Sequence, residues 1–282
     1  MVADVRPSPI AGTWYSADPQ RLARQVDAFL QSAVLPPLEG EVIGLVSPHA
    51  GHRYSGRTAG HAFRAVQGRH FDLVAVISPL HSFFPADLLT TSHKGYGTPL
   101  GPVWVDNEAL DALDESLHHI SDKKIQRVSN DSEHSLEIEL PFLQRALEGE
   151  FKLLPVMIRS QSKDTAHALG RALGSVLAGK QALLVASTDL SHFYPENTAN
   201  QLDAVMLKQV ADFSPEGVIQ AEESGTGFAC GFPAVAAVLW AARALGGNAV
   251  VILHHSTSAD ETGDPSEVVG YGAAAILKKV SV

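Results

Sequence analysis

Five short apolar runs constrain this chain more than any other feature. "EVIGLVS" (41–47), "FDLVAVIS" (71–78), "FKLLPVMI" (151–158), "QALLVAST" (181–188) and "NAVVILHHS" (248–256) are rich in Val, Ile and Leu. A strand with one wet face alternates apolar and polar residues. A strand apolar throughout is buried on both faces, as in a parallel sheet covered by helices. Helical patterns separate the runs. "DPQRLARQVDAFLQSA" (18–33) opens on Asp18-Pro19, a cap followed by proline in the first turn. "SGRTAGHAFRAVQG" (55–68) ends on glycine, and "DSEHSLEIELPFLQRALEG" (131–149) runs from an Asp/Ser cap to glycine. "SKDTAHALGRALGSVLAG" (162–179) and "GFPAVAAVLWAARALGG" (231–247) complete the set. The alternation predicts an α/β fold with a central, mostly parallel sheet flanked by helices. Segment 83–106 breaks the rhythm, and its "ADLLTTS" and "GPVWVD" read as extra strands, antiparallel to the rest. With no repeat, low-complexity tract or linker, a single domain over residues 1–282 is expected.

The strand ends then repeat one theme. "VSPH" ends at His49, "ISPLH" at His81, "ASTDLSH" at His192 and "VILHH" at His254 and His255. Ligands of open α/β sheets bind outside the carboxyl ends of the strands. Residues just past parallel strands share that edge, so these histidines are expected to meet although far apart in sequence. His254 and His255 are weaker candidates, because consecutive strand side chains point to opposite faces. His118 and His119 read as solvated surface, and His61, His70, His93 and His167 belong to no constellation. Asp189, also past a strand, is placed either to ligate or to orient a histidine. His134 falls in the first turn of the helix expected over 131–149. Asp131, Ser132 and Glu133 there suit capping, whereas His134 is no capping residue and stays a site candidate.

Composition narrows the function. The net charge is −10 with no basic run, which argues against nucleic acid. No stretch approaches the roughly 18 uninterrupted apolar residues of a membrane span. The N-terminus lacks the apolar core of a signal peptide, so a cytoplasmic protein is expected. The single cysteine, Cys230, rules out an intramolecular disulfide and suits a reducing compartment. It precedes a helical run. A helix N-terminus lowers a thiol pKa to about 3.5–7.5; the other reading is a small buried apolar residue.

Seven motifs, in order over nearly the whole chain, resemble the Memo family. They are "AGTWY" (11–15), "SPHAGHRYSG" (47–56), "SPLHS" (78–82), "TPLGPVWVD" (98–106), "EHSLEIELPFL" (133–143), "STDLSH" (187–192) and "ACGFP" (229–233). The family is named for an animal protein involved in cell motility and is widespread in archaea and bacteria. Its fold is similar to that of class III extradiol ring-cleaving dioxygenases, which hold non-haem iron(II) with two histidines and a carboxylate and use a further histidine as acid/base. The resemblance implies that His49 and His81 match the histidine ligands, Cys230 the carboxylate position and His192 the acid/base. It implies iron or copper as the metal and places Trp14 near the pocket. Two departures bear on pocket shape and substrate: His52, where tyrosine is commoner, and the bulky "SFFPADLL" loop (82–89). Microbial members often accompany a radical-SAM protein and a second small protein family, which implies a shared oxidative or modification pathway.

Three functions follow from this set. The first is a metal-dependent redox enzyme or oxygenase, with His49, His81 and Cys230 on the metal, His192 moving a proton, and Asp189 or His134 orienting the site. Thiolate in place of carboxylate shifts the preference towards softer ions, and fold analogy alone carries no activity. The second is a non-catalytic regulatory protein that takes a peptide or small metabolite in the same cleft. The third is a zinc hydrolase built on a metal-bound water, against which the absence of H-E-x-x-H counts.

Overall fold

The structure, a computed structural model, describes residues 4–129 and 131–279. In chain order, β1 (Val5–Arg6) and α1 (Pro19–Ser32) precede β2 (Glu41–Ser47), α2 (His52–Arg64) and β3 (Leu73–Pro79). Then come β4 (Leu88–Thr91), β5 (Gly95–Thr98), β6 (Gly101–Trp104), α3 (Asn107–Ser121) and β7 (Ile125–Val128). A single 3-10 turn (Glu137–Glu139) leads into α4 (Leu140–Ala146), β8 (Lys152–Ile158), α5 (Lys163–Leu177) and β9 (Ala182–Ser187). The chain continues through β10 (His192–Tyr194), α6 (Glu196–Ala211), α7 (Pro215–Glu223) and α8 (Phe232–Ala244). It closes with β11 (Ala249–Thr257), α9 (Ala259–Thr262) and β12 (Val268–Lys278).

The main sheet runs β10-β12-β2-β9-β3-β8-β4-β7, with β11 paired to the other edge of β12. The four strands β2, β9, β3 and β8 are parallel, as expected from their continuous apolarity, and β3 is buried along its whole length. Both flanks are antiparallel: β4 against β8 on one side, and β12 against β2, β10 and β11 on the other. "GPVWVD" lies outside this sheet. It forms β6 of a small second sheet, antiparallel to β5, which pairs in parallel with β1.

Helices cover both faces. α8 packs on β9, β3 and β2 and is buried from Phe232 to Ala242, with α5 against it. A helix apolar all round belongs in a core rather than on a surface. α2 packs on β2, β11 and β12 and contacts α1 and α4. Asp18 caps α1 by accepting the Arg21 N–H at 2.7 Å, with Pro19 following in the first turn.

The helix expected over 131–149 is much shorter. Residues 131–136 are irregular, and His134 is not in a first helical turn. The reason is the buried Arg6 on β1. Its guanidinium bonds the Asp131 carboxylate (2.8 Å), the Glu137 carboxylate (2.6 Å) and the Glu133 carbonyl (2.7 Å). The Glu133 side chain accepts the His134 and Ser135 N–H groups at 2.9 and 3.0 Å. Backbone groups that a helix would pair internally are spent on this clamp, and the loop is held open towards the sheet edge.

Candidate metal centre

Parallel pairing brings Ser47 level with Ser187 and Ile77 level with Ala186. The segments leaving β2, β3 and β9 therefore emerge together at one carboxyl edge. His49 follows β2, His81 follows β3, and Thr188, Asp189 and His192 follow β9. Cys230 arrives from the loop before α8. Its N–H donates to the Asp189 carbonyl (3.1 Å), the Asp189 N–H points at Sγ (3.2 Å), and the Gly231 N–H donates to Thr188 Oγ1 (2.8 Å). Gly231 is required for this approach, since a Cβ there would run into the Ser187 carbonyl oxygen.

His49, His81 and Cys230 each bring one donor atom to within 4.8 Å of the others. Cys230 Sγ lies 3.2 Å from His49 Nε2. The outer nitrogens are already committed. Ser187 Oγ donates to the Ser135 carbonyl at 2.6 Å, which leaves it only lone pairs for His49 Nδ1 at 2.8 Å. Nδ1 must then carry the proton, and Nε2 presents its lone pair to the centre. His81 Nδ1 donates to Glu133 Oε1 at 2.9 Å, leaving Nε2 free in the same way. An imidazole that donates its far N–H to a fixed acceptor is oriented as a metal ligand.

Electrostatics separates the groups. Burial, and then the neighbouring His81 and His134, hold His49 well below the usual imidazole range. Burial also opposes charge on His81, but its hydrogen bond to Glu133 outweighs this and raises it. Glu133 is buried too, yet hydrogen bonds from His81 and Ser135 keep its carboxyl well below the ordinary range. Burial pushes Asp189 up to about 7 despite the N–H groups of His49 and Ala50. Asp189 Oδ1 accepts the His49 N–H at 2.8 Å, so this carboxylate anchors the backbone under a donor. His81, Glu133 and His134 also cluster closely. The Glu133 oxygens are occupied by four N–H groups, of His81 (backbone and ring), His134 and Ser135, so Glu133 acts as an orienting acceptor.

The thiol does not follow the expectation of a helix-lowered pKa. Burial, followed by the nearby Asp189 carboxylate, pushes Cys230 up. It sits two residues ahead of α8, and desolvation outweighs the helix end.

A cavity of about 550 Å³ opens beside the donors. Its lining includes His49, His81, His134, Asp189 and His192, together with Trp14, Tyr54, Phe193 and Tyr271. His134 lies between His81, on which it stacks (ring centroids 4.8 Å apart, 13°), and Trp14, which is tilted against it (4.0 Å, 37°). Burial lowers His134 to about 4, so this ring is neutral near pH 7. His192 Nδ1 donates to the Leu190 carbonyl at 2.8 Å, and burial lowers this ring as well.

Other candidates part company. His254 bonds Thr58 on α2 (2.9 Å) and His255 bonds Asp203 on α6 (2.8 Å); neither lines the cavity. His52, one of the two departures read as bearing on pocket shape, does not line the cavity; it is in the core, packed against Tyr15, Phe29 and Phe142. Of segment 82–89, no residue lines the cavity; Phe83 is exposed beneath Arg159. His118 and His119 lie on α3 near its end, away from the cavity. Sequence reasoning missed Ser187 and Glu133, the two acceptors that orient His49 and His81. The signal was present: Ser187 opens "STDLSH" and Glu133 opens "EHSLEIELPFL".

The fold and this edge define an α/β protein with two oriented histidines and a cysteine converging at the strand tips. The Memo-like protein family model matches residues 6–275, and the chain belongs to that family. It is 31% identical over 273 residues to a MEMO1 family protein of Nitrosopumilus maritimus, covering 95% of this chain and 98% of that relative. A MEMO1 family protein of Sulfolobus acidocaldarius is 33% identical over 283 residues, covering 95% and 97%. One from Methanosarcina mazei is 30% identical over 272 residues, covering 96% and 98%. No helix among the described residues is long and apolar enough to cross a membrane.

Proposed function

We propose that this protein holds one redox-active metal ion, iron or copper, through His49, His81 and Cys230 and acts on a small organic ligand in the adjoining cavity. The observation that supports this is the donor set itself. Two imidazoles have their Nδ1–H groups pinned outwards on Ser187 and Glu133, and the cysteine sulfur lies beside His49 Nε2. Two imidazoles and a thiolate suit copper, iron or zinc and disfavour magnesium or calcium. Bound there, iron or copper supplies Lewis-acid and one-electron chemistry.

The chain's own groups have separable tasks in this reading. His192 has Nδ1–H on the Leu190 carbonyl, so its neutral ring offers Nε2 as a base; once protonated, the same ring donates. His134 stays neutral and, packed between His81 and Trp14, adds an uncharged ring to the cavity lining. Asp189 holds the His49 backbone. Tyr54, Phe193 and Tyr271 supply apolar surface that displaces water from a bound ligand.

Elemental analysis of anaerobically purified protein tests the reading, with His49→Ala and Cys230→Ser as controls. Near-stoichiometric iron or copper, lost in both variants, is expected. Zinc lost in the same pattern replaces redox chemistry with hydrolysis. Absence of metal after reconstitution overturns the reading and leaves a ligand-binding protein.

A further inference from the structure

Asp203, on α6, is fully buried and belongs to none of the groups assigned so far. Its Oδ2 accepts from His255 Nε2–H at 2.8 Å, and its Oδ1 accepts the Ser191 N–H at 3.0 Å. Ser191 immediately precedes His192. The same turn is tied to β12 from the other side. The Leu190 N–H donates to the Gly270 carbonyl (2.8 Å), and the Gly270 N–H donates to the Ser191 carbonyl (2.9 Å). A Cβ at position 270 would collide with the Asp203 carboxylate, so glycine there is what lets α6 bring the carboxylate against the turn.

The turn itself is strained. Phe193, next to His192, has φ +64°, a region that bulky residues avoid. Such a conformation costs on the order of 1–3 kcal/mol and persists only where the surroundings over-determine it. The register between β10 and β12 also shifts between His192 and Tyr194. A distorted turn, held from both sides, therefore carries one of the cavity's histidines.

A buried carboxylate with two partners has an ordinary explanation, which is fastening a helix to a sheet. Two facts go further. The backbone it grips is the residue next to His192, and its field reaches the ring, favouring the protonated form where burial and His81 oppose it.

We propose that Asp203, oriented by His255 and seated on Gly270, is the positioning residue for His192, holding the 190–193 turn in the strained shape that places His192 in the cavity wall. This rests on the reading of His192 as the proton-moving group, but its test needs no metal. His81 and Asp203 act on the His192 ring, and the other titratable groups lining its cavity are His49, His134, Asp189, Glu267, Tyr54 and Tyr271.

The experiment is imidazole nitrogen NMR of the metal-free 282-residue chain across a pH titration, with the His192 signal assigned by its loss in H192Q. In the wild type, neutral His192 shows the Nδ1–H tautomer that its bond to the Leu190 carbonyl demands. Asp203→Asn keeps the shape and removes the charge; the His192 midpoint moves to lower pH and the single-tautomer signature is lost. Gly270→Ala, which displaces the carboxylate without touching it chemically, produces the same change. If Asp203→Asn does not fold, His255→Leu, which frees the carboxylate from its orienting donor, stands in for it and is read by loss of the single-tautomer signature. An unchanged His192 midpoint and tautomer in folded variants, with only a lower melting temperature, overturns the proposal and makes Asp203 a fastener. If His192 responds as stated while no metal binds, the positioning role stands and the metal reading alone falls.

Discussion

Two groups of imidazoles lie against α2. Just before its N-terminus, His49 meets His81 and Cys230; farther along it, His61 stacks on His254 with ring centroids 4.0 Å apart and 16° between planes. Both groups are partly buried, and both pair a histidine of the α2 region with one from a strand or its end. They differ in whether a third donor faces the nitrogens. At the first, each Nδ1–H is spent on an acceptor outside the cluster, Ser187 or Glu133, and a third donor faces the freed nitrogens. At the second, His61 Nδ1 bonds the Arg57 carbonyl of its own helix (2.9 Å) and His254 Nδ1 meets Thr58 (2.9 Å). Among the described residues no third donor joins that pair. Burial, then His61 and His255, lower His254 to about 4, so the His254 ring is neutral near pH 7. Imidazoles come together readily in a core. A ligand set needs, in addition, fixed acceptors behind them and one more donor in front.

The comparison breaks if the two clusters respond alike to mutation. The largest effect is expected at the donors: His49→Ala and Cys230→Ser abolish metal uptake, whereas His61→Ala and His254→Ala leave metal content at the wild-type level in the same assay. Next is Glu133→Gln, which replaces the carboxylate that orients His81 with a weaker acceptor. Metal affinity falls by about 10–100-fold, read by chelator competition. Gly231→Ala forces a methyl group against the Ser187 carbonyl and moves the cysteine loop off β9. A stability loss of about 1–3 kcal/mol is expected from denaturant midpoints, as for other overpacked sites.

His52 sharpens the comparison through pH. It is buried, with Nδ1 unpartnered, and burial lowers it to about 4. The folded state therefore takes up its proton less readily than the unfolded chain. The stability tied to the neutral ring is whole above about pH 6.5 and declines as pH falls towards 4, by at most about 1.4 kcal/mol per unit. His52→Phe removes that slope between pH 6.5 and 4, measured as the melting temperature against pH. The smallest change is expected for the stability of His254→Ala, within about 1 kcal/mol, since it loses one partly buried hydrogen bond.

Much of the parallel core was legible because continuous Val/Ile/Leu runs have few other places to go. β12 was not legible. The middle of its "VVGYGAAAILK", "GYGAAA", is mostly Gly and Ala, which carry little strand propensity. Those small residues answer to neighbours: Gly270 makes room for Asp203, and Gly272 for Leu207 and Leu190. The short α4 was misread for a similar reason, because Arg6 reaches 125 residues along the chain to claim the loop that would have begun the helix. Histidine positions at strand ends could be read directly. Tautomers, acceptors and the opposite fates of His254 and His255 could not.

The sequence by itself determined the layered α/β plan, the burial of β2, β3, β8 and β9, and the placement of His49, His81, Asp189 and His192 at strand tips. These follow from local apolarity and from the fixed side-chain period of a strand. "NAVVILHHS", expected to be buried on both faces, is instead the half-buried antiparallel edge strand β11. The family resemblance named Cys230; only the tertiary structure decided that its sulfur lies beside His49 Nε2, that Ser187 and Glu133 turn the histidine lone pairs inwards, that His52 belongs to the core, and that Asp203 grips the turn carrying His192. Each of these depends on atoms brought within about 3 Å by long-range packing, and hydrogen-bond direction at that range is not encoded in any local pattern.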